Sequence, residues 1–314
     1  MDRPTKPKGR GELKLTDAEF RLFTDYLRGR CGLHFDEDTR YLVEKRLARR
    51  IREAEIGSFA SYFYQLRNGS NAEEEFSAIV DVLTTNETYF FREQSQLTAL
   101  VEEIIPEALS RRSARISRPV AIWSAGCSSG EEPYSIVMSG LEAGLIPGRD
   151  FRVYASDISK AVLSRARRGI YREASFRETK ETMRQRYFAQ KDGLTRIADS
   201  VKRHVDFVHM NLLDESKVSL LGKMDVILCR NVIIYFDLET KKRVMKMFHD
   251  KLQSGAYLLL GHSESLISVT ADFELKHLRH DLVYRRPVPG EEREDSWHSI
   301  ARAGIAEAER SASE

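Results

Sequence analysis

Five short stretches of this chain hold side chains that could do chemistry. The most telling reads Ser124-Ala125-Gly126-Cys127-Ser128-Ser129-Gly130-Glu131-Glu132-Pro133. Glycines at such a place let a backbone turn tightly and come close to a ligand. A dinucleotide site needs Gly-x-Gly-x-x-Gly and an acid about 20 residues on. Here the glycines are spaced differently, and Asp157, the next acid at a strand end, lies farther away. Glu131 and Glu132 also sit where a pyrophosphate would meet the start of a helix, and two carboxylates there repel phosphate and favour a cation. S-adenosylmethionine has no phosphate and carries both a sulfonium and an ammonium. The plainer alternative is a glycine turn followed by two acids that only suit a helix N-terminus.

The other stretches extend this reading. Ala155-Ser156-Asp157 places an acid where both ribose hydroxyls of an adenosyl ligand could donate to it; the alternative is a helix N-cap. Asn211 and Leu212, after His209-Met210, could read an adenine edge. Cys229-Arg230-Asn231-Val232-Ile233-Ile234-Tyr235-Phe236 lacks the paired prolines of the Asp/Asn-Pro-Pro-Tyr/Phe motif carried by amino-group methyltransferases acting on DNA or glutamine amides. Thr84-Thr85-Asn86-Glu87-Thr88-Tyr89-Phe90-Phe91-Arg92 is dense in hydrogen-bonding side chains beside three aromatics. Its alternative is a helix end that packs those aromatics on a neighbour.

Strand ends must position four of these stretches. From Pro119 the pattern alternates: strand Val120–Trp123, helix Pro133–Ala143, strand Phe151–Ala155, helix Ile158–Arg167, strands Val205–His209 and Val226–Cys229, helix Leu238–Leu252, and strand Ala256–Leu260, with Leu282–Arg285 as a possible last strand. Such alternation implies an α/β fold with a parallel sheet covered on both faces, and ligands at the carboxyl ends of its strands. Residues 170–204 break the rhythm and read as an inserted subdomain. Residues 15–90 read as a small all-helical domain. Thr16 and Glu19 form a capping box ahead of Phe20, Phe23 and Leu27, and Gly29 and Gly32 break that helix. A second helix, Asp38–Glu55, carries Val43, Leu47, Ile51 and Ala54 on one stripe and Arg46, Arg49, Arg50 and Glu53 on the other, flanked by Lys45 and Arg52. Residues 91–118 form a helical connector, 119–287 the second domain, and 1–14 and 288–314 loose tails.

The strings TTNETYFFRE, WSAGCSSGEEPYSI, SDI, GIY, NLL, CRNVIIYF and GHSESL, in this order and spacing from about residue 15 to 286, resemble the CheR family of chemotaxis receptor methyltransferases. The resemblance implies a Rossmann-like, class I S-adenosylmethionine-dependent methyltransferase domain with an inserted small β-subdomain, preceded by a small all-helical domain. It implies that Asn86, Thr88 and Arg92 reach the cofactor, and that Glu132, Asp157, Asn211 with Leu212, and Arg230 with Asn231 complete its site; the direct contact could also fall to Glu131. Ser129 stands where many members carry Thr and keeps the hydroxyl. The implied product is S-adenosylhomocysteine, and the implied substrate is a glutamate carboxylate on the cytoplasmic helices of a chemoreceptor.

A glutamate side chain, with a pKa of about 4.3, is already an anion at neutral pH, so methyl transfer to it needs alignment and dryness rather than a strong base. Arg92 is the candidate for orienting cofactor or glutamate. Tyr235 is either a hydroxyl near the reacting oxygen or a pocket wall. Arg46, Arg49 and Arg50 are the candidate docking surface for an acidic receptor helix, the alternative being an ordinary solvated face. Two further functions compete: a methyltransferase for a different substrate, and a cofactor-binding sensor or adaptor without turnover.

Composition bounds the rest. A net charge of +2 argues against nucleic acid as partner. The absence of any apolar run of about 20 residues argues against a membrane-embedded protein, and the polar N-terminus against a secretory leader. A cytoplasmic monomer is the expectation. Cys31, Cys127 and Cys229 form no CxxC pair and the histidines are scattered, so no metal is expected and the thiols read as packing residues.

Overall fold

A computed structural model describes residues 13–84, 86–111, 118–191 and 193–291. The expected loose tails therefore lie almost wholly outside the described residues, as does most of the basic stretch between Arg111 and Arg118. The chain divides into two compact units, and the first ends at Thr84 rather than near residue 90. The Asn86–Arg92 segment thus belongs to the second unit.

The first unit comprises α1 (Asp17–Cys31), α2 (Arg40–Glu53), α3 (Phe59–Asn68) and α4 (Ala72–Leu83). The Thr16–Glu19 capping box is formed in both directions. Gly29 lies inside α1 and does not break it; Gly32, at φ 78°, caps it in the left-handed conformation that glycine adopts without penalty. Phe23, Leu27, Val43, Leu47, Ile51, Tyr62, Leu66, Ile79 and Val80 are fully buried, so each helix gives one apolar stripe to a common core.

The second unit opens with α5 (Gln94–Ala99), which passes through a π-helical stretch, Leu100–Ile104, into α6 (Ile105–Ser110). There follow β1 (Val120–Ala125), α7 (Glu131–Glu142), β2 (Phe151–Asp157), α8 (Lys160–Arg168), β3 (Ile170–Tyr171), α9 (Glu181–Tyr187), β4 (Phe188–Lys191), β5 (Leu194–Ile197), α10 (Asp199–Lys202), β6 (Val205–His209), α11 (Glu215–Ser219), β7 (Met224–Cys229), α12 (Leu238–Lys251), β8 (Leu252–Leu260), β9 (Glu274–His277) and β10 (Leu282–Arg285). The main sheet has the order β6-β2-β1-β7-β8-β10-β9. Five neighbouring strands, β6, β2, β1, β7 and β8, are parallel. The last strand corrects the all-parallel expectation: β10 runs antiparallel to β8 and pairs with β9, which the sequence reading did not contain.

Alternation along the strands fills both faces. Val120 and Ile122 of β1 face one core with Val226 and Leu228 of β7, and Trp123 and Ala125 face the other with Ile227 and Cys229. Residues 170–204 form the inserted piece, a small antiparallel sheet β3-β5-β4 with α9 beside it. The chain leaves β1 towards β2 and β6 on one side and later fills β7 and β8 on the other, so the strand order reverses at β1. A crevice opens at such a reversal, at the carboxyl ends of the strands. No described helix is long and apolar enough to cross a membrane.

Candidate active site

The loop after β1 is shaped by three left-handed residues, Gly126 (φ 81°), Ser128 (φ 49°) and Gly130 (φ 93°). A Cβ on Gly126 would lie 2.4 Å from Val232 Cγ2, so only glycine lets this loop sit against the loop after β7. The backbone N–H groups of Gly126 and Cys127 both donate to the Ser156 carbonyl, at 2.8 and 2.9 Å, which ties the first strand exit to the second.

Asp157 stands at the end of β2 and is 9% exposed. Its Oδ2 accepts from Ser128 N at 2.8 Å and its Oδ1 from Ser159 N at 2.9 Å. The N-cap of α8 is Ser159, whose side chain accepts from Val162 N, so Asp157 is not the cap that the sequence left open. Its carboxylate is fixed by backbone donors of two neighbouring loops.

The adjacent acids at the start of α7 part company. Glu131, 2% exposed, accepts from Ser129 Oγ at 2.8 Å and from Ser175 Oγ at 3.0 Å, and so fastens the helix to the inserted subdomain. Glu132 accepts from Ser124 Oγ of β1 at 2.6 Å and faces the Arg230 guanidinium at 3.4 Å. Burial pushes both carboxyls above the ordinary 4.5, in Glu132 against the opposing pull of Arg230.

Arg230, at the end of β7, has a side chain only 2% exposed. Its Nε and Nη2 donate to Glu93 Oε2 at 3.2 and 3.1 Å, and Nη2 also donates to the Arg92 carbonyl. The guanidinium thus ties the Asn86–Arg92 segment to the start of α7. Asn231 adopts φ 59°. Its Oδ1 and the Ser128 Oγ are buried with no hydrogen-bond partner, the kind of polar atom that a ligand satisfies.

In the segment before α5, Phe90 is fully buried, with ring centroids of Tyr171, Phe176 and Phe188 at 4.7, 5.3 and 4.9 Å. Phe91 N donates to Ser135 Oγ of α7 at 2.9 Å. These two aromatics hold the segment to the second unit. Asn86, Thr88 and Arg92 are half-buried. Arg92 Nη1 donates to the Glu87 carbonyl at 3.2 Å, and the guanidinium carbon lies 5.5 Å from the centroid of Tyr89. Asn211 Oδ1 accepts from Leu213 N at 3.0 Å and shapes the turn after β6, where Asn211 and Leu212 are both half-buried. Tyr235, also half-buried, ends the short 3-10 turn Ile233–Tyr235.

Two participants escaped the sequence reading. Glu93 is the main partner of Arg230. Glu264 follows β8 and accepts backbone hydrogen bonds from the loop after β7. Both acids lie inside the strings that carry the family resemblance, Glu93 at the end of TTNETYFFRE and Glu264 in GHSESL just after the fifth parallel strand, which was the available signal. Together Glu93, Glu132, Asp157 and Glu264 surround the exits, and among the described residues Arg230 is the buried counter-charge paired with them. The field of these acids adds to burial in raising the thiols of Cys127 and Cys229 well above their ordinary range, Asp157 and Glu132 acting on the first and Glu264 and Glu132 on the second. Such a donor set suits a cationic ligand without phosphate.

The basic stripe of α2 lies in the first unit and is less free than its pattern suggests. Arg50 forms a 2.6 Å pair with Glu75, which is 7% exposed and also accepts from the Tyr62 hydroxyl at 2.9 Å. Arg46 donates to the Leu83 carbonyl at 2.7 Å. Arg49, whose side chain is 79% exposed, pairs only with Glu53 of its own helix among the described contacts. Lys45 and Arg52 are exposed.

Residues 86–282 match the family model described as CheR methyltransferase, SAM binding domain, and residues 18–84 match the one described as CheR methyltransferase, all-alpha domain. The chain is 39% identical over 287 residues to chemotaxis protein methyltransferase 2 of Vibrio cholerae, covering 91% of this chain and 98% of that protein. It is 35% identical over 269 residues to the chemotaxis protein methyltransferase of Escherichia coli, covering 84% of this chain and 90% of that protein. Among solved structures it is similar to magnesium protoporphyrin IX methyltransferase from Synechocystis with bound S-adenosylmethionine, at 14% identity and a TM-score of 0.35, over 72% of this chain and 93% of that one.

Proposed function

The chain belongs to the CheR methyltransferase family, and from that premise we propose that it esterifies glutamate side chains on the cytoplasmic helices of a chemoreceptor, with S-adenosylmethionine as methyl donor. The observation that carries this reading is the ring of buried carboxylates at the strand exits, which fits a sulfonium and an ammonium and opposes a phosphate. When bound, the cofactor supplies a methyl group made electrophilic by the sulfonium.

Asp157 receives the ribose hydroxyls in this reading, and Asn211 with Leu212, after β6, takes the adenine edge; the backbone bonds that fix the Asp157 carboxylate support the first role. Asn231, Glu132 and the segment bearing Asn86 and Thr88 enclose the remaining, charged part. Arg230 acts through its pairs with Glu93 and Glu132 and through the backbone it carries, since its guanidinium is taken up by those acids. Arg92 orients an incoming carboxylate or that of the cofactor, and Tyr235 offers a hydroxyl or a wall beside it. The substrate carboxylate is ionised at neutral pH, so the site needs to align it and exclude water, and no residue must act as a strong base. In the first unit, Arg49 with Lys45 and Arg52 forms the accessible part of the α2 stripe for docking an acidic receptor helix. Arg46 and Arg50 support that stripe from inside the unit.

Peptide mapping by mass spectrometry tests the substrate assignment. A receptor cytoplasmic fragment incubated with the protein and S-adenosylmethionine should gain methyl groups on glutamate side chains. Methyl groups found on nitrogen side chains, or none at all, would overturn it.

A further inference from the structure

The loop that leaves β7 contains one short 3-10 turn, Ile233–Tyr235, and Asn231 ahead of it takes the left-handed conformation, φ 59°. Ile233 packs into the core beneath the loop, and one polar side chain, Glu264, 9% exposed, takes up the loop's backbone donors. Glu264 Oε2 accepts from Asn231 N at 2.7 Å and from Gly261 N at 2.8 Å. Its Oε1 accepts from Val232 N at 2.9 Å and from Ile234 N at 3.3 Å. One carboxylate thus gathers four backbone donors from the exits of β7 and β8. The fit is tight on the other side as well, because a Cβ on Gly261 would lie 2.7 Å from Asn231 Nδ2 and 3.0 Å from Asn231 N. The loop pinned in this way carries Arg230, Asn231 with its partnerless buried Oδ1, and Tyr235.

We infer that Glu264 is a positioning residue for methyl transfer: its two-oxygen carboxylate sets the backbone of residues 231–234 and thereby the Asn231 contact to the cofactor. The length and the charge of the side chain both matter. Glutamine of the same length offers one oxygen and one N–H₂ group, so two of the four backbone donors would face another donor. Aspartate is one methylene too short to bridge both exits. A neutral donor at this spot leaves buried N–H groups unsatisfied, which is more costly than losing an ordinary hydrogen bond. The inference rests on the reading of the strand exits as the cofactor site.

The test compares wild type with Glu264→Gln by calorimetry with S-adenosylhomocysteine and by steady-state kinetics. The expected result is a rise of at least about tenfold in the dissociation constant and in KM for S-adenosylmethionine, with KM for the receptor fragment within about twofold of wild type. A role limited to holding the fold would lower the active fraction, and so the apparent kcat, without moving either affinity. Wild-type affinity in a folded Glu264→Gln protein would overturn the inference. Should that variant fail to fold, Gly261→Ala displaces Asn231 while keeping the carboxylate. It should weaken S-adenosylhomocysteine in the same direction, and unchanged binding would again overturn the inference. Failure of the wild-type protein to bind S-adenosylhomocysteine would instead defeat the reading of the site itself.

Discussion

Arg230 Nη1 lies 3.4 Å from Glu132 Oε2, and the guanidinium between Glu132 and Glu93 is 2% exposed. This pair joins the end of β7 to the start of α7, and through Glu93 it joins both to the segment ahead of α5. Removing one partner of a buried pair leaves an uncompensated charge, a far larger loss than the net worth of the pair. Arg230→Met should therefore cost about 3 kcal/mol or more in denaturant unfolding of the second unit. Arg230→Lys should recover only part of it, because an ammonium cannot reproduce the planar fork that meets two acids and a carbonyl. A fully stable Arg230→Met protein would show that the strut is dispensable.

The two buried-side arginines of α2 and the exposed one should behave differently. Arg50→Ala strands the buried Glu75 carboxylate and should destabilise the helical unit by about 3 kcal/mol. Lys45→Glu with Arg49→Glu should leave stability and S-adenosylhomocysteine affinity unchanged and lower kcat/KM for receptor about tenfold at low ionic strength, the difference closing as salt is raised. A salt-independent rate in both proteins would refute electrostatic docking through this helix.

Arg92 should matter for turnover and little for folding, since it is half-buried and its described direct contacts are with a carbonyl and a ring. Arg92→Ala should lose about a hundredfold in kcat/KM. A rise in KM for S-adenosylmethionine would place Arg92 on the cofactor carboxylate, and a fall in kcat alone would place it on the incoming glutamate. Full turnover with full affinity would remove it from the site.

The buried acid at the start of α7 predicts a pH effect of definite sign. Burial raises the Glu131 carboxyl above its ordinary 4.5, so the folded protein holds that proton more tightly than the unfolded chain. Its contribution to stability is present below the ordinary value and is lost as pH rises through the raised one. Ser129 and Ser175 donate to different oxygens of Glu131, so Glu131→Gln keeps one of those bonds, lets its amide N–H₂ donate to the other hydroxyl, and removes the titration. The variant should gain stability relative to wild type as pH rises from the ordinary carboxylate range to neutral. An equal difference at every pH would show that Glu131 does not titrate there.

Much of this arrangement was legible in the sequence, and its gaps have physical causes. Central parallel strands such as Phe151–Asp157 and Met224–Cys229 stand out as short apolar or β-branched runs between turn residues, and their exits draw attention to Asp157 and to the Arg230–Asn231 pair. Strand β9, Glu-Leu-Lys-His, has no such signature because it holds one apolar residue in four and none of the four is buried. The direction of β10 was hidden for a related reason, since alternation records which face is buried and not which way a strand runs. Helical periodicity put Arg50 on a polar stripe correctly, yet could not reveal that Glu75, 25 residues later, closes over it. Glu264 was overlooked because its chemistry is directed at backbone, and a side chain that serves four N–H groups looks in sequence like any other loop acid.

Carboxyl methylation of a receptor forms an ester, and the alkali lability of that bond separates it from methylation at nitrogen. Purified protein, labelled S-adenosylmethionine and a chemoreceptor cytoplasmic fragment should give label on the fragment that is released as methanol in mild alkali. That label should vanish when the accepting glutamates are replaced by alanine. Label that withstands alkali, or that persists on the alanine fragment, would exclude glutamate esterification of the receptor.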